Sequence, residues 1–170
     1  MKLFTTSIAL AFVLALAARA EDVTAKISDV HLCCGKCVKI AQKTVASVDG
    51  AKATVDKDAG TITITAPDKA TAQKATDALS GAGFFGTSTD VTLDASTGAK
   101  DTKVQTLEIK DLHLCCDSCV KAVDKCVKAV PGVTGDTAAK GATSFTVTGD
   151  FNDKAVMDAL QKEGLTGKVQ

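Results

Sequence analysis

Apolar and polar positions follow two rhythms along this chain, and the rhythms switch in the same order twice. Residues 23–31 and 104–113 alternate with the period of a strand and lead into cysteine-containing loops. Val38, Ala41, Val45 and Val48 then recur at helical spacing, as do Val120, Val123, Val127 and Val130, until Gly50 or Pro131-Gly132 stops the helix. A short strand near Ala51–Val55 precedes the alternating segment Thr61-Ile62-Thr63-Ile64-Thr65, whose counterpart is Ser144-Phe145-Thr146-Val147-Thr148. Second helices are predicted from Lys69 to Ala82 and from Asn152 to Glu163, with a last strand after Gly83 or Gly164.

The repetition extends to residue identity. An offset of 82 superposes Ile27 on Ile109, Asp29 on Asp111, His31-Leu32-Cys33-Cys34 on His113-Leu114-Cys115-Cys116, and Cys37-Val38-Lys39 on Cys119-Val120-Lys121. Near the ends, at an offset of 81, Asp77-Ala78-Leu79 matches Asp158-Ala159-Leu160, and Gly83 matches Gly164. Two copies of one module are expected, each in the order βαββαβ, which is the ferredoxin-like split βαβ unit. The fold class is therefore α+β, with two tandem ferredoxin-like domains built on antiparallel sheets, at residues 21–94 and 104–170. Residues 95–103 lack periodicity and read as the linker.

Residues 1–20 have the layout of a signal peptide: Lys2, an apolar stretch from Ile8 to Ala17, and Ala18-Arg19-Ala20 as the cleavage site. Cleavage after Ala20 would release a secreted or periplasmic chain. The apolar run falls short of the roughly 20 residues that span a bilayer, and no later segment is longer, so no membrane span is expected after cleavage. Formal charge is balanced and there is neither Trp nor Tyr, so no basic stripe or stacking platform suggests nucleic acid. Phe84, Phe85, Phe145 and Phe151 are read as core. Charged runs such as Lys52 to Asp58 lack ligand spacing and read as solvated faces.

Cysteine carries the chemical signal. Six of the seven lie in two tight triplets, Cys33/Cys34/Cys37 and Cys115/Cys116/Cys119. Disulfides between such close neighbours would close almost no loop and remove little entropy from the unfolded chain, so site chemistry explains them better than stapling. A cysteine pair separated by two residues, the second at the start of a helix, can converge on one ion, and the helix N-terminus favours the thiolate. Thiolates are soft and select Cu(I), Zn(II) or Hg(II) over hard cations.

These residues resemble the heavy-metal-associated domains of copper chaperones, metal-pumping ATPases and periplasmic mercury-binding proteins, over nearly all of the chain beyond residue 20, twice. That family's G-M-x-C-x-x-C loop and following helix are matched in spacing by Cys116-Asp117-Ser118-Cys119-Val120 through Pro131-Gly132-Val133. The resemblance implies that Cys34 and Cys37, and Cys116 and Cys119, are metal ligands. Leu32 and Leu114 replace the family's Met and can fill the same apolar role.

His31 and His113 stand where the family has Gly, and Cys33 and Cys115 where it has a small residue. Cys33 and Cys115 are either further ligands or small buried hydrophobes. His31 and His113 are either nitrogen ligands or strand-end residues held by Asp29 and Asp111 on the same strand face. Four ligands would make a closed Zn(II) site; two or three suit Cu(I) or Hg(II). Cys126, opposite Thr44 in the first copy, is read as core. Lys36 in the first loop, against Asp117-Ser118 in the second, predicts sites of unequal affinity.

The expected function is non-enzymatic: capture, buffering or delivery of a soft metal ion, exchanged with a metal-donor or metal-acceptor protein. A thiol-disulfide oxidoreductase using the C-x-x-C pairs is the alternative, although the strand order is not thioredoxin-like and Pro67 and Pro131 are poorly placed for it. A structural or partner-binding protein with oxidised cysteines is the third reading.

Overall fold

The switch from period two to period 3.6 produces the expected elements. The computed structural model describes residues 21–170, and the segment read as an export signal lies outside the described residues. The first half contains β1 (Val23–Ile27), α1 (Gly35–Ala46), β2 (Lys52–Asp56), β3 (Thr61–Ala66) and α2 (Lys69–Gly81). The second contains β4 (Lys103–Lys110), α3 (Asp117–Lys128), β5 (Val133–Asp136), β6 (Ser144–Asn152), α4 (Asp153–Lys162) and β7 (Lys168–Val169). The architecture is α+β, with two antiparallel sheets ordered β1-β3-β2 and β5-β6-β4-β7.

Alternation decides which face of each sheet the helices cover. Ile62 and Ile64 on β3 are wholly buried with Ala25 and Ile27 of β1, and the alternating Thr61, Thr63 and Thr65 remain partly open. Leu107 and Ile109 on β4, with Phe145 and Val147 on β6, do the same in the second sheet. Each of the isoleucine, leucine, valine and phenylalanine side chains contributes about 2 kcal/mol of burial. Against these faces pack Ala41 and Val45 of α1, Ala75 and Leu79 of α2, Val123 and Val127 of α3, and Val156 and Leu160 of α4, all wholly buried. Phe84, Phe145 and Phe151 are core as expected, with Phe85 only partly buried. Cys126 is also buried, its Sγ donating to the Val123 carbonyl at 3.3 Å.

Two expectations are corrected. First, β1 and β4 end at Ile27 and Lys110 rather than continuing to the histidines, because Asp29 and Asp111 take left-handed backbone conformations with φ of 59° and 60°. Second, the strand expected after Gly83 reduces to isolated bridges, of which Ser28 to Thr87 ties it to the end of β1. Side chains take over its hydrogen bonds: Ser88 Oγ donates to the Lys26 carbonyl at 2.6 Å, and the Asp90 carboxylate accepts from the Lys26 N–H at 3.0 Å. The segment read as a linker is held by hydrogen bonds to the second half. Asp153 accepts from the N–H groups of Lys100 and Thr102, both at 2.8 Å, and the Thr97 carbonyl accepts from Val169 at 2.7 Å.

The two halves meet through equivalent residues. Phe84 bridges Leu165 in antiparallel fashion, and both side chains are buried in one continuous core. The Gly164 carbonyl accepts from His31 N–H at 3.3 Å and Phe85 N–H at 3.1 Å, and the Gly83 carbonyl accepts from Thr166 N–H at 3.1 Å. Gly83 and Gly164 have φ of 84° and 75°. A Cβ on Gly164 would lie 2.4 Å from both the Asp29 carbonyl oxygen and the His31 nitrogen, and one on Gly83 would lie 2.9 Å from the Asp111 oxygen and His113 nitrogen. Only glycine allows this approach.

Gly164→Ala should therefore destabilise the protein by about 2 kcal/mol or more, read from the urea midpoint. Gly81→Ala, at a helical position with open space around the new methyl, should be neutral or stabilising by up to about 1 kcal/mol. Equal midpoints for the two variants would count against the close junction.

Candidate metal centre

The cysteines sit where extended backbone turns into helix. Cys34 and Cys116 are the N-caps of α1 and α3, with φ of −159° and −156°, and neither side chain caps its helix. By contrast Asp68 and Asn152 accept from the Thr71 and Ala155 N–H groups at the starts of α2 and α4, an interaction worth about 1 kcal/mol each. The thiols of Cys34 and Cys116 thus carry no capping hydrogen bond of this kind. Cys37 and Cys119 lie in the first turns and are wholly buried, whereas Cys33, Cys34, Cys115 and Cys116 are partly exposed.

Docking of the halves brings the two loops face to face. Cys33 Sγ lies 3.5 Å from Cys37 in its own loop, and 3.2 and 3.3 Å from Cys116 and Cys119 in the other. Cys115 Sγ mirrors this, 3.6 Å from Cys119 and 3.7 and 3.3 Å from Cys34 and Cys37. The C-x-x-C pairs themselves, Cys34–Cys37 and Cys116–Cys119, are each separated by 3.9 Å. Two four-sulfur groups have all members within 4.8 Å of one another: Cys33, Cys34, Cys115, Cys116 and Cys33, Cys37, Cys115, Cys119. The two cysteine loops, read as sites of unequal affinity, thus lie together as one six-thiol cluster. Cys33 and Cys115 stand at its centre.

Such crowding polarises the ionisation of the thiols. Cys37 is driven strongly toward thiolate by Cys119 above all, against the cost of burial, with further help from His113, Cys115 and Cys33. Lys36 is not among these groups. Cys119 is pushed up, first by its interaction with Cys37 and then by burial. Burial is the main reason that Cys33 is raised and that Cys115 is pushed up to about 12. At Cys116 burial opposes ionisation, but Cys33 and the backbone N–H groups of Cys119 and Ser118 outweigh it and lower the thiol to about 6.

The histidines stand beside the sulfurs and outside both four-sulfur groups. Nε2 of His31 and both ring nitrogens of His113 lack hydrogen-bond partners. Neither ring is held by the aspartate two residues before it, because the left-handed turns at Asp29 and Asp111 remove the shared strand face, and Asp29 instead accepts from Thr87 Oγ1 at 2.6 Å. The His113 ring packs on Phe84 of the other half with centroids 4.1 Å apart. It favours the Cys37 thiolate by proximity without reaching hydrogen-bond geometry. Burial lowers the pKa of His31, and the nearby Cys37 opposes that shift.

No protein-family model matches the chain, and neither does any curated protein. Among solved structures it is similar to the PacS N-terminal domain from Synechocystis PCC6803, at 20% identity over 39% of this chain and 98% of that one, with a TM-score of 0.36. It is also similar to the HMA domain of a copper chaperone for superoxide dismutase, at 22% identity over 44% of this chain and 76% of that one, TM-score 0.36. The N-terminal soluble domains of Bacillus subtilis CopA align over 89% of this chain and 95% of theirs, at 15% identity and a TM-score of 0.34. Likenesses at this level leave the chemistry to be argued from the site itself. No helix among the described residues is long and apolar enough to cross a membrane.

In the reduced, metal-free protein, alkylation of Cys116 by iodoacetamide should have a midpoint near pH 6, its lowered pKa. Cys126, buried and raised to about 12 chiefly by desolvation, should stay unmodified through neutral pH. Peptide mapping across a pH series separates the two, and a Cys116 midpoint near 9 would contradict the electrostatics described above.

Proposed function

We propose that this chain is an exported, non-enzymatic protein that captures, buffers or delivers a soft metal ion, with two tandem ferredoxin-like domains at residues 21–94 and 104–170 closing on the ion from opposite sides. The observation that carries this reading is the convergence of six cysteine sulfurs from two loops, with neighbouring separations of 3.2–3.9 Å. Sulfurs bound tetrahedrally at about 2.3 Å from one ion lie about 3.8 Å apart, so the spacing suits a shared ion. Soft donors of this kind select Cu(I), Zn(II) or Hg(II), and Cys34, Cys37, Cys116 and Cys119, with Cys33 and Cys115, are the ligands.

Uptake on this reading releases protons. The metal-free cluster keeps Cys33, Cys115 and Cys119 protonated, and a cation replaces those protons as it converts thiols to thiolates. Delivery proceeds by ligand exchange, beginning at the partly exposed Cys34 and Cys116, where the thiols of a donor or acceptor protein can reach the ion. Buried Cys37 and Cys119 retain it until last. No bond in the cargo is made or broken beyond metal–sulfur exchange.

Competition titration with a Zn(II) or Cu(I) chelator tests the shared site. Replacing Cys115, Cys116 and Cys119 by Ser should weaken binding by about 100-fold or more, since an ion would lose ligands from one side entirely. If each loop bound metal independently, the variant would lose stoichiometry and keep its remaining affinity. The protein should not accelerate insulin reduction, and acceleration would favour the thiol-disulfide alternative.

A further inference from the structure

The six thiols outnumber what one ion can use. A tetrahedral soft ion takes four sulfurs, and a second ion with ligands of its own would require eight. The two four-sulfur groups resolve this count because both contain Cys33 and Cys115. We propose that the cluster holds two soft, four-coordinate ions of the Zn(II) class in each chain, with Cys33 and Cys115 as thiolates shared by both. One ion would be completed by Cys34 and Cys116, the other by Cys37 and Cys119. This rests on the metal-carrier reading above and specifies its stoichiometry.

Three features support the shared positions. Cys33 and Cys115 each approach three other sulfurs, at 3.2–3.5 Å and 3.3–3.7 Å, including two in the opposite loop. They are related by the offset that relates the two copies, so the pair has the symmetry that a doubly bridged centre requires. Charge also favours two ions: six thiolates around one divalent cation would leave four negative charges in a partly buried site, and a second divalent cation halves that excess. The completing pairs cross between the loops, whereas the C-x-x-C spacing alone would pair Cys34 with Cys37 and Cys116 with Cys119. Continuous burial at Cys37 and Cys119, against partial exposure at Cys34 and Cys116, makes one ion inner and the other outer.

Cadmium(II) is the probe. Native mass spectrometry of the reduced full chain titrated with Cd(II) should show saturation at two ions, and the ¹¹³Cd spectrum should show two resonances split by coupling through the shared sulfurs. Two variants with equal numbers of cysteines then separate bridging from simple ligand count. C34S/C116S keeps the group Cys33, Cys37, Cys115, Cys119 intact and should hold one Cd(II) within about 10-fold of the wild-type affinity. C33S/C115S breaks both groups and should bind about 100-fold more weakly. Far-UV circular dichroism verifies that both variants fold, and the wild-type stoichiometry stands independently of them. Saturation at one Cd(II), or two resonances without coupling, would overturn the shared-thiolate centre while leaving the carrier reading intact; no Cd(II) uptake at all would overturn both.

Discussion

Everything at the sulfur cluster depends on the close approach of two glycine-led segments, Gly83-Phe84 and Gly164-Leu165. Each glycine presses its backbone against the turn that precedes the opposite cysteine loop, so the junction and the loops are positioned by the same contacts. Phe84 and Leu165 fill the space between the two sheets and join their interiors into one core. Hydrophobic burial provides the driving force, and the left-handed glycines provide the short separation. Without either, the cysteine loops would be two thiol triplets on separate surfaces.

The turns at Asp29 and Asp111 complete this geometry. By ending β1 and β4 early they lift the following residues out of the sheet, which places Val30-His31-Leu32 and Leu112-His113-Leu114 at the junction. Leu32 and Leu114 are buried, as expected for residues packing beneath the loops. The histidines fall between core and sulfur, one stacked on Phe84, and contribute to the electrostatic setting of the thiols rather than to the four-sulfur groups. Symmetry between the copies therefore extends from sequence to the junction, even though the first copy has lost its last strand to side-chain hydrogen bonds.

Crowding six thiols also explains why their ionisation is so uneven. A single thiolate at Cys37 is stabilised by the neighbours that surround it, and its charge makes a second ionisation at Cys119 correspondingly harder. Cys116, at the more open side, gains from backbone donors at the start of α3. A cluster that resists further negative charge is well matched to cations, because each cation removes the repulsion that keeps the remaining protons in place.

The amino-acid sequence by itself determined the order of elements, the repeat, the buried faces and the two cysteine triplets, because these follow from local periodicity and from chemistry carried by neighbouring residues. Ile62 and Ile64 announce their buried face by alternation, and Cys34 and Cys37 announce a convergent thiol pair by spacing. Tertiary structure alone decided that Cys33 meets Cys116, that Cys115 meets Cys37, and that the histidines stand apart from their aspartates. Those relations join residues about 80 positions apart through a junction whose signals, two glycines and two left-handed aspartates, look like ordinary turns when read along the chain. Spacing records which side chains one loop can offer to an ion; only the packing of the two halves records which loops face one another.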